Sequence, residues 1–338
     1  MKKNFLQRVG KLKVFVFILL VPVLMSWGPY GHERINRAAV LALPVPLQAF
    51  FYNHIDFITQ ESSVPDLRKY TLNDNAEKPR HYIDLENFGP TDSLPATLAE
   101  ARKKYDEKFL QQNGILPWYI EEMMDKLTRA FKEKRKTEIL FLAGDLGHYL
   151  GDAHMPLHTS ANHDGQLTNQ KGLHAFWESQ LPEMFGDQYN LFIGEAIYIN
   201  DVPKETWRII HASHALVDTI LLADRELKQH FPADQVYLHD GFGNLIKNKF
   251  NSSIHSEEYA RQYNQKLKGM VEKQMRLAAT ATANFWYTAW VNAGKPDLGD
   301  LDPVDQTKRN KSNLVRELKL FKQGKLADIK SEDEFSNH

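Results

Sequence analysis

The sequence predicts an all-α protein, built as a single multi-helix domain. Apolar residues recur at spacings of three and four through most of the chain, which is the period of an amphipathic helix. Only one segment, 235–247, has the pattern of a small β-hairpin, with turn residues between apolar ones. The 312 residues that follow a 26-residue leader are enough for a sizeable core.

The N-terminus has the pattern of a secretory leader. Five basic residues flank or precede an 11-residue apolar stretch at 14–24, and the small residue Ser26 offers a cleavage point before Trp27. The stretch is short for a transmembrane helix, which needs about 20 apolar residues. Leu24 is larger than the small residue usual near a cut, so an uncleaved anchor is the alternative. We expect a signal peptide at 1–26 and an exported protein, periplasmic or secreted.

Helical spacing continues through the rest of the chain. Pro44 closes the first predicted helix, and Asn113, Gly114 and Pro117 separate a helical pair. The predicted helices span 31–43, 47–60, 95–112, 116–134, 137–152, about 173–180, 204–230 and 256–293. A polar, charged tail follows at 295–338, in which 312–328 is predicted as a peripheral helix and the last ten residues as disordered.

Charge and cysteine content exclude some classes of protein. The formal charge of −1 includes five basic residues of the leader, so the chain from Trp27 onward carries about −6. A nonspecific duplex-DNA binder is expected to be basic, so electrostatic tracking along a polyanion is not favoured. With no cysteine, the exported chain must be held by its core and by metal, if metal is bound.

The residues that carry chemistry concentrate between 144 and 178. His148 and Asp152 stand four residues apart on one predicted helix, and His174 and Glu178 repeat this spacing. His158 lies in the turn between the pairs. Zinc takes imidazole nitrogen and carboxylate oxygen at roughly 2.0–2.2 Å, so such pairs can converge on an ion. One pair alone is usually a surface helix contact, but two pairs and His158 indicate a metal site.

Earlier residues can complete this site. Asp66 follows Pro65, and His81 opens the run His81-Tyr82-Ile83-Asp84. Taken alone, Asp66 fits a helix cap and His81 a loop histidine. Cleavage before Trp27 would leave a free α-amino group five residues before His32, and a deprotonated amine and a backbone carbonyl are both metal ligands.

These ordered signals resemble the superfamily of zinc-dependent phospholipase C and the fungal-type single-strand nucleases. The most specific signal is His148-Tyr149-Leu150-Gly151-Asp152-Ala153-His154-Met155-Pro156-Leu157-His158. The resemblance runs from Trp27 to about residue 290, and its matching detail ends at Glu178. It implies a zinc-dependent phosphodiesterase domain at 27–294, a mainly helical fold and three Zn²⁺ ions in a cleft.

The resemblance also implies a ligand set for each ion. The first ion would be held by Asp66, His81, His148 and Asp152. The second would be held by the Trp27 amino and carbonyl groups, His32 and a bridging Asp152. The third, more open ion would be held by His158, His174 and Glu178. Paired cations lower the pKa of a shared water, a third can neutralise phosphate oxygens, and Asp66 is placed to orient or deprotonate the water.

Two features of the sequence bear on the substrate class. Glu178 resembles the phospholipase pattern, since the nucleases usually carry Asp there, and the absence of cysteine separates the chain from the disulfide-bonded fungal nucleases. We therefore expect phospholipase C-type cleavage of a phospholipid. The alternative is a nuclease that acts on single-stranded nucleic acid, or a nucleotidase, of the same superfamily. Arg68 or Lys69 would have to replace the phosphate-binding Arg of the nuclease pattern. No protein partner is implied.

A different class remains open beside the two enzymes. A catalytically silent zinc-binding protein would keep the ligands but fail to turn over any phosphodiester. Turnover, and its loss in Asp66→Asn, would separate the enzyme from that protein.

Overall fold

The computed structural model describes residues 28–90, 93–247 and 253–327. The predicted leader therefore lies outside the described residues, as do Trp27 and the last eleven residues of the chain. The α-helices are α1 (Gly28–Leu41), α2 (Leu47–Asn53), α3 (Ile55–Glu61), α4 (Val64–Tyr70), α5 (Leu98–Lys104), α6 (Glu107–Asn113), α7 (Leu116–Lys132), α8 (Lys136–Ala153), α9 (Leu173–Ala175), α10 (Leu181–Phe185), α11 (Val202–His214), α12 (Val217–His230), α13 (Glu257–Lys266), α14 (Met270–Asn292) and α15 (Val304–Phe321).

The core forms where α1, α7, α8 and α14 pack against one another. Trp286 of α14 is fully buried there, and its indole N–H donates to the Ala143 carbonyl of α8 at 3.0 Å. Phe51 of α2 stacks on the same indole, with ring centroids 5.1 Å apart. Phe51 and Trp286 therefore fill the interior of the domain. The prediction of an all-α domain is confirmed.

Three glycines bring α8 unusually close to the first helices. Gly144, Gly147 and Gly151 follow one another at helical spacing. A Cβ atom on Gly147 would lie 2.0 Å from the Asn36 side-chain oxygen, and one on Gly151 would lie 2.9 Å from the His32 ring. The Asn36 amide in turn donates to the Gly144 carbonyl at 3.3 Å. Bare backbone on α8 therefore lets α1 approach and places His32 beside it.

Gly147→Ala is expected to lower the free energy of unfolding by about 1–3 kcal/mol, because the new methyl group overpacks a filled site. This loss should exceed the roughly 1 kcal/mol that alanine gains over glycine in a helix. Urea denaturation of the purified variant measures the change. Gly194→Ala is the control, since a Cβ there meets no atom within 4 Å and the backbone φ is not left-handed. Equal stability of the two variants would contradict the close approach.

Several predicted helices are interrupted in the structure. The predicted helix 47–60 breaks at His54, whose Nε2 lies 2.8 Å from Asp302 Oδ1, far along the chain. The predicted helix 95–112 also divides, because the Asp106 side chain accepts from the Phe109 N–H and starts α6.

The two long C-terminal predictions divide as well. The stretch 204–230 forms α11 and α12, which Ala215 and Leu216 separate. The stretch 256–293 forms α13 and α14, since Lys268 and Gly269 adopt left-handed φ angles of 52° and 78°. Local helical spacing predicted the helices but not these breaks.

The predicted hairpin at 235–247 is present as a short set of bridges. His239 pairs with Leu245 around the turn, and Tyr237 pairs with His255 of a third segment. The third segment is attached to the residues after α9. The Gln180 side chain donates to the His255 carbonyl at 2.6 Å and accepts from the His255 N–H at 3.2 Å.

Part of the predicted charged tail packs on the domain. Helix α15 spans Val304–Phe321, earlier than the predicted 312–328, and its fully buried Glu317 accepts from Arg37 Nε at 2.6 Å and from the Tyr52 hydroxyl at 3.0 Å. Within the described part of the chain, no helix has both the length and the apolarity needed to cross a membrane.

Candidate metal centre

Helix α8 supplies the centre of the candidate site. His148 and Asp152 stand one helical turn apart, and both are fully buried. Asp152 Oδ2 lies 3.2 Å from His148 Nε2 and 2.9 Å from His81 Nδ1. Asp152 Oδ1 lies 3.6 Å from His32 Nε2. The two oxygens of this carboxylate thus face different histidines, as a bridging ligand requires.

The close approach of α1 places His32 in the same cluster. Its ring stacks on that of His148, with centroids 4.1 Å apart. Neither ring nitrogen of His32 has a hydrogen-bond partner among the described residues. Burial, reinforced by the neighbouring His148, lowers the pKa of His32 to about 3, so this imidazole is neutral and able to bind a cation.

Asp66 and His81 reach the cluster from loops and short helices. Asp66 lies in the first turn of α4 behind Pro65, and His81 ends a 3-10 helix at Lys78–His81. His81 Nδ1 lies 3.6 Å from Asp66 Oδ1. Next to His81, the Gly114 φ of 85° is left-handed, and a Cβ there would lie 1.9 Å from the Tyr82 carbonyl. Only glycine lets the end of α6 lie against this segment.

A second cluster lies beside the first. His158 lies in the 3-10 helix Pro156–Thr159, His174 lies in α9, and Glu178 belongs to the π-helix Phe176–Gln180. Glu178 Oε2 lies 2.8 Å from His174 Nε2, and Oε1 lies 3.4 Å from His158 Nε2. His174 is the most exposed member, with 26% of its side chain accessible, which fits the open side of a cleft.

The structure brings together all eight predicted ligands that it describes. Their donor atoms form overlapping groups, each within 4.8 Å. These groups are His32, Asp66 and His148; His81, His148 and Asp152; His158, His174 and Glu178; and His32, Asp152 and Glu178. Trp27, the ninth predicted ligand, lies outside the described residues.

The hydrogen bonds of three histidines show whether this cluster suits a cation. A backbone carbonyl only accepts, so a histidine nitrogen bonded to one must carry the proton. Nδ1 of His148 donates to the Ser62 carbonyl at 2.7 Å, Nδ1 of His158 to the His81 carbonyl at 2.7 Å, and Nδ1 of His174 to the His163 carbonyl at 3.0 Å. In its neutral form, each ring therefore has its lone pair on Nε2, which faces the cluster.

These bare nitrogens converge on one another and on carboxylates. His158 Nε2 and His174 Nε2 are 3.2 Å apart, and His148 Nε2 is 3.0 Å from His81 Nδ1. Buried oxygens of Asp66, Asp152 and Glu178 also have no hydrogen-bond donor among the described residues. Such a concentration of lone pairs, away from water, is costly unless cations lie between them. The residues present therefore fit bound zinc, which prefers imidazole and carboxylate ligands.

The electrostatics of the cluster agree with that fit. Burial disfavours charge on Asp152 and Glu178, but the surrounding histidines outweigh it and hold the pKa of both carboxyls below their ordinary values. Burial likewise opposes charge on His148, but Asp152 raises the pKa of this ring to about 9. In the absence of metal, protons neutralise the cluster in place of a cation.

Other histidines of the motif have structural roles. His154 is buried, and its Nδ1 donates to the Leu150 carbonyl at 2.7 Å, so it caps the end of α8. Burial lowers the pKa of His154 to about 4. His163 supplies the carbonyl that holds His174, and Asp164 Oδ1 accepts from the His174 N–H at 3.2 Å.

The two basic residues after Asp66 differ in their surroundings. Arg68 is partly exposed, but its guanidinium pairs with Asp145 at 2.7 Å and with Glu77 at 3.1 Å. Lys69 Nζ lies 3.3 Å from Asp66 Oδ1 and 4.5 Å from the centroid of the Tyr70 ring. Lys69 is thus the cation that faces the cluster.

Glu77 was not among the predicted site residues, although it is fully buried and its Oε1 lies 3.4 Å from His81 Nε2. The signal was present, because Glu77 and His81 repeat the i, i+4 spacing of the two predicted pairs.

No curated protein matches the chain. The family model described as S1/P1 Nuclease matches residues 27–285, which include every predicted ligand. The chain therefore belongs to the S1/P1 nuclease family, whose members are zinc-dependent enzymes that hydrolyse phosphodiester bonds.

Proposed function

We propose that the protein is an exported, zinc-dependent nuclease that hydrolyses phosphodiester bonds in single-stranded nucleic acid. The observation that carries the zinc chemistry is the convergence of three bare imidazole nitrogens on unpartnered, buried carboxylates. The family match favours the nuclease over the phospholipase C that the sequence placed first. Export rests on the predicted cleavage between Ser26 and Trp27.

Three zinc ions are proposed. The first would be held by Asp66, His81, His148 and Asp152, the second by Trp27, His32 and Asp152, and the third by His158, His174 and Glu178. When bound, zinc lowers the pKa of a water molecule to near neutrality and neutralises the charge of phosphate oxygens.

Asp66 is the proposed catalytic residue of the chain. Its Oδ1 lies 3.3 Å from Lys69 Nζ, while its Oδ2 is buried without a hydrogen-bond partner among the described residues. Lys69 and the nearby histidines outweigh burial and hold the pKa of the Asp66 carboxyl below its ordinary value, so Oδ2 is ionised. Oδ2 is therefore placed to orient an attacking water and to accept its proton.

The burial of the site supports a flexible substrate. Asp152, Glu178 and the histidines of α1 and α8 are almost inaccessible, whereas Lys69 and Tyr70 leave 12% and 46% of their surface open. A phosphodiester of a single strand can turn into such a recess, while a paired duplex holds its phosphates on a stiff cylinder. The exposed Tyr70 ring offers a stacking surface for a base beside the Lys69 ammonium.

Lys69→Met is expected to lower kcat/KM for an oligonucleotide by about 100-fold, because the cation nearest Asp66 would no longer meet the phosphate. Steady-state kinetics on a short single strand, with zinc content measured in parallel, tests this. Lys69→Arg keeps the charge and should retain most of the activity. A rate within twofold of wild type in Lys69→Met would contradict the phosphate contact, as would loss of zinc that accounts for the whole effect.

A phospholipase C is the second candidate, and Glu178 is the observation that favours it. The deciding experiment offers zinc-loaded protein a single-stranded oligonucleotide, the same sequence as a duplex, and phosphatidylcholine vesicles. The nuclease proposal predicts cleavage of the single strand far ahead of the duplex, with intact lipid. Release of phosphocholine with intact DNA would establish the phospholipase instead. Turnover of none of them would leave the silent zinc-binding protein.

A further inference from the structure

His81 is held differently from the other histidines of the site. His148, His158 and His174 each donate their outward nitrogen to a backbone carbonyl at 2.7–3.0 Å. The outward nitrogen of His81 is Nε2, and it has no close hydrogen bond among the described residues. Its nearest recorded partner is Glu77 Oε1, one helical turn earlier, at 3.4 Å.

The carboxylate of Glu77 accepts hydrogen bonds from three side chains. Its Oε2 accepts from Arg80 at 2.8 Å and from Arg68 at 3.1 Å, and its Oε1 accepts a short hydrogen bond from the Tyr149 hydroxyl. Glu77 is therefore a buried carboxylate that only accepts, so the proton between it and His81 belongs to the ring.

The contacts of Glu77 join the segments that carry the first ligand set. Arg68 lies two residues after Asp66 in α4, and Tyr149 lies next to His148 in α8. His81 itself ends the 3-10 helix that begins immediately after Glu77. One carboxylate thus contacts all three segments.

We propose that Glu77 is a positioning residue that accepts the Nε2–H of His81 and so keeps the bare Nδ1 of that ring directed at Asp152 and His148. A carboxylate in this role fixes the tautomer and the orientation of a metal-binding histidine and raises its basicity. The inference rests on the proposed metal site, but not on which phosphodiester is cut. Glu77 does not touch the substrate.

The test compares Glu77→Gln with Tyr149→Phe. Glutamine keeps the size of the side chain but removes its charge, whereas phenylalanine removes a different hydrogen bond of the same carboxylate and leaves the contact with His81. Zinc affinity is measured by competition with a chromophoric chelator, and the protonated nitrogen of His81 is identified by NMR of zinc-loaded protein labelled with ¹⁵N in histidine. Neither readout requires turnover.

We expect Glu77→Gln to weaken the binding of one zinc ion by about 10–100-fold, with the others unchanged. The His81 signals should broaden or shift relative to wild type, while Tyr149→Phe should keep both the affinity and the spectrum. Unchanged affinity and an unchanged His81 spectrum in Glu77→Gln would overturn the proposal, as would equal losses in the two variants. If the unpaired charge of Arg80 prevents Glu77→Gln from folding, Glu77→Gln/Arg80→Gln removes both charges, and the same criteria apply. If Glu77→Gln loses zinc affinity as expected but wild-type protein shows no nuclease activity, this inference stands and only the proposed substrate is rejected.

Discussion

Asp152→Asn is expected to lower phosphodiester cleavage by about 10³-fold, more than the loss of a hydrogen-bond partner of a metal ligand. Changes to the hydrogen-bond partners of metal ligands cost about 10–100-fold, and Asp152 is itself a proposed ligand that bridges two ions. Its two oxygens face His32 on one side and His81 and His148 on the other. An amide has one neutral oxygen, so it cannot satisfy both sides.

Steady-state rates and zinc per chain, measured on the same preparation, test this expectation. Asp224→Asn is the matched control. Asp224 is also fully buried, but it accepts from Gln170 and Tyr259, away from the cluster. The control should lose stability and keep both its zinc and its catalytic rate. Asp152→Asn protein with three zinc ions and more than a tenth of wild-type activity would contradict the bridging role.

An N-terminal extension ahead of Trp27 is expected to remove one zinc ion per chain and nearly all activity. The second proposed ion depends on the free α-amino group and the carbonyl of Trp27, and an extension converts that amine into an amide, which does not bind zinc. Helix α1 begins at Gly28, where an added Cβ would lie 3.8 Å from Ser179, the neighbour of Glu178. The start of this helix therefore lies beside the candidate site, as the hypothesis requires.

The experiment uses the chain with a protease-removable extension that leaves Trp27 as the first residue after cleavage. Zinc per chain and the cleavage rate are measured before and after the protease acts. Both should rise on cleavage, whereas a similar extension removed from the C-terminus should change neither. Full zinc loading and full activity with the extension in place would reject the role of the terminal amine and separate export from metal binding.

The sequence predicted those parts of the site that depend on local spacing. His148 with Asp152 and His174 with Glu178 lie one helical turn apart, so helix formation alone brings each pair together. The structure adds His158, His81 and Asp66 to these pairs through loops whose paths the spacing does not determine. His32 also joins the cluster, because Gly151 has no side chain and leaves room for the His32 ring. The binding of metal by these residues stays a prediction.

The features that were missed depend on distant partners. The break at His54 accompanies a contact with Asp302, and the position of α15 depends on Glu317 meeting Arg37. A helical period contains no information about either contact. Arg68 was considered as a replacement for a phosphate-binding Arg, yet its guanidinium pairs with Asp145 and Glu77. Its role became clear only when α4 and α8 were placed together.

Anomalous diffraction at the zinc absorption edge, from crystals of protein that begins at Trp27, would locate the bound ions. We expect three peaks. One should lie among Asp66, His81, His148 and Asp152, one between His32 and Asp152, and one among His158, His174 and Glu178. Peaks elsewhere in the molecule, or clusters without zinc at saturating metal, would contradict the proposed metal centre and the mechanism derived from it.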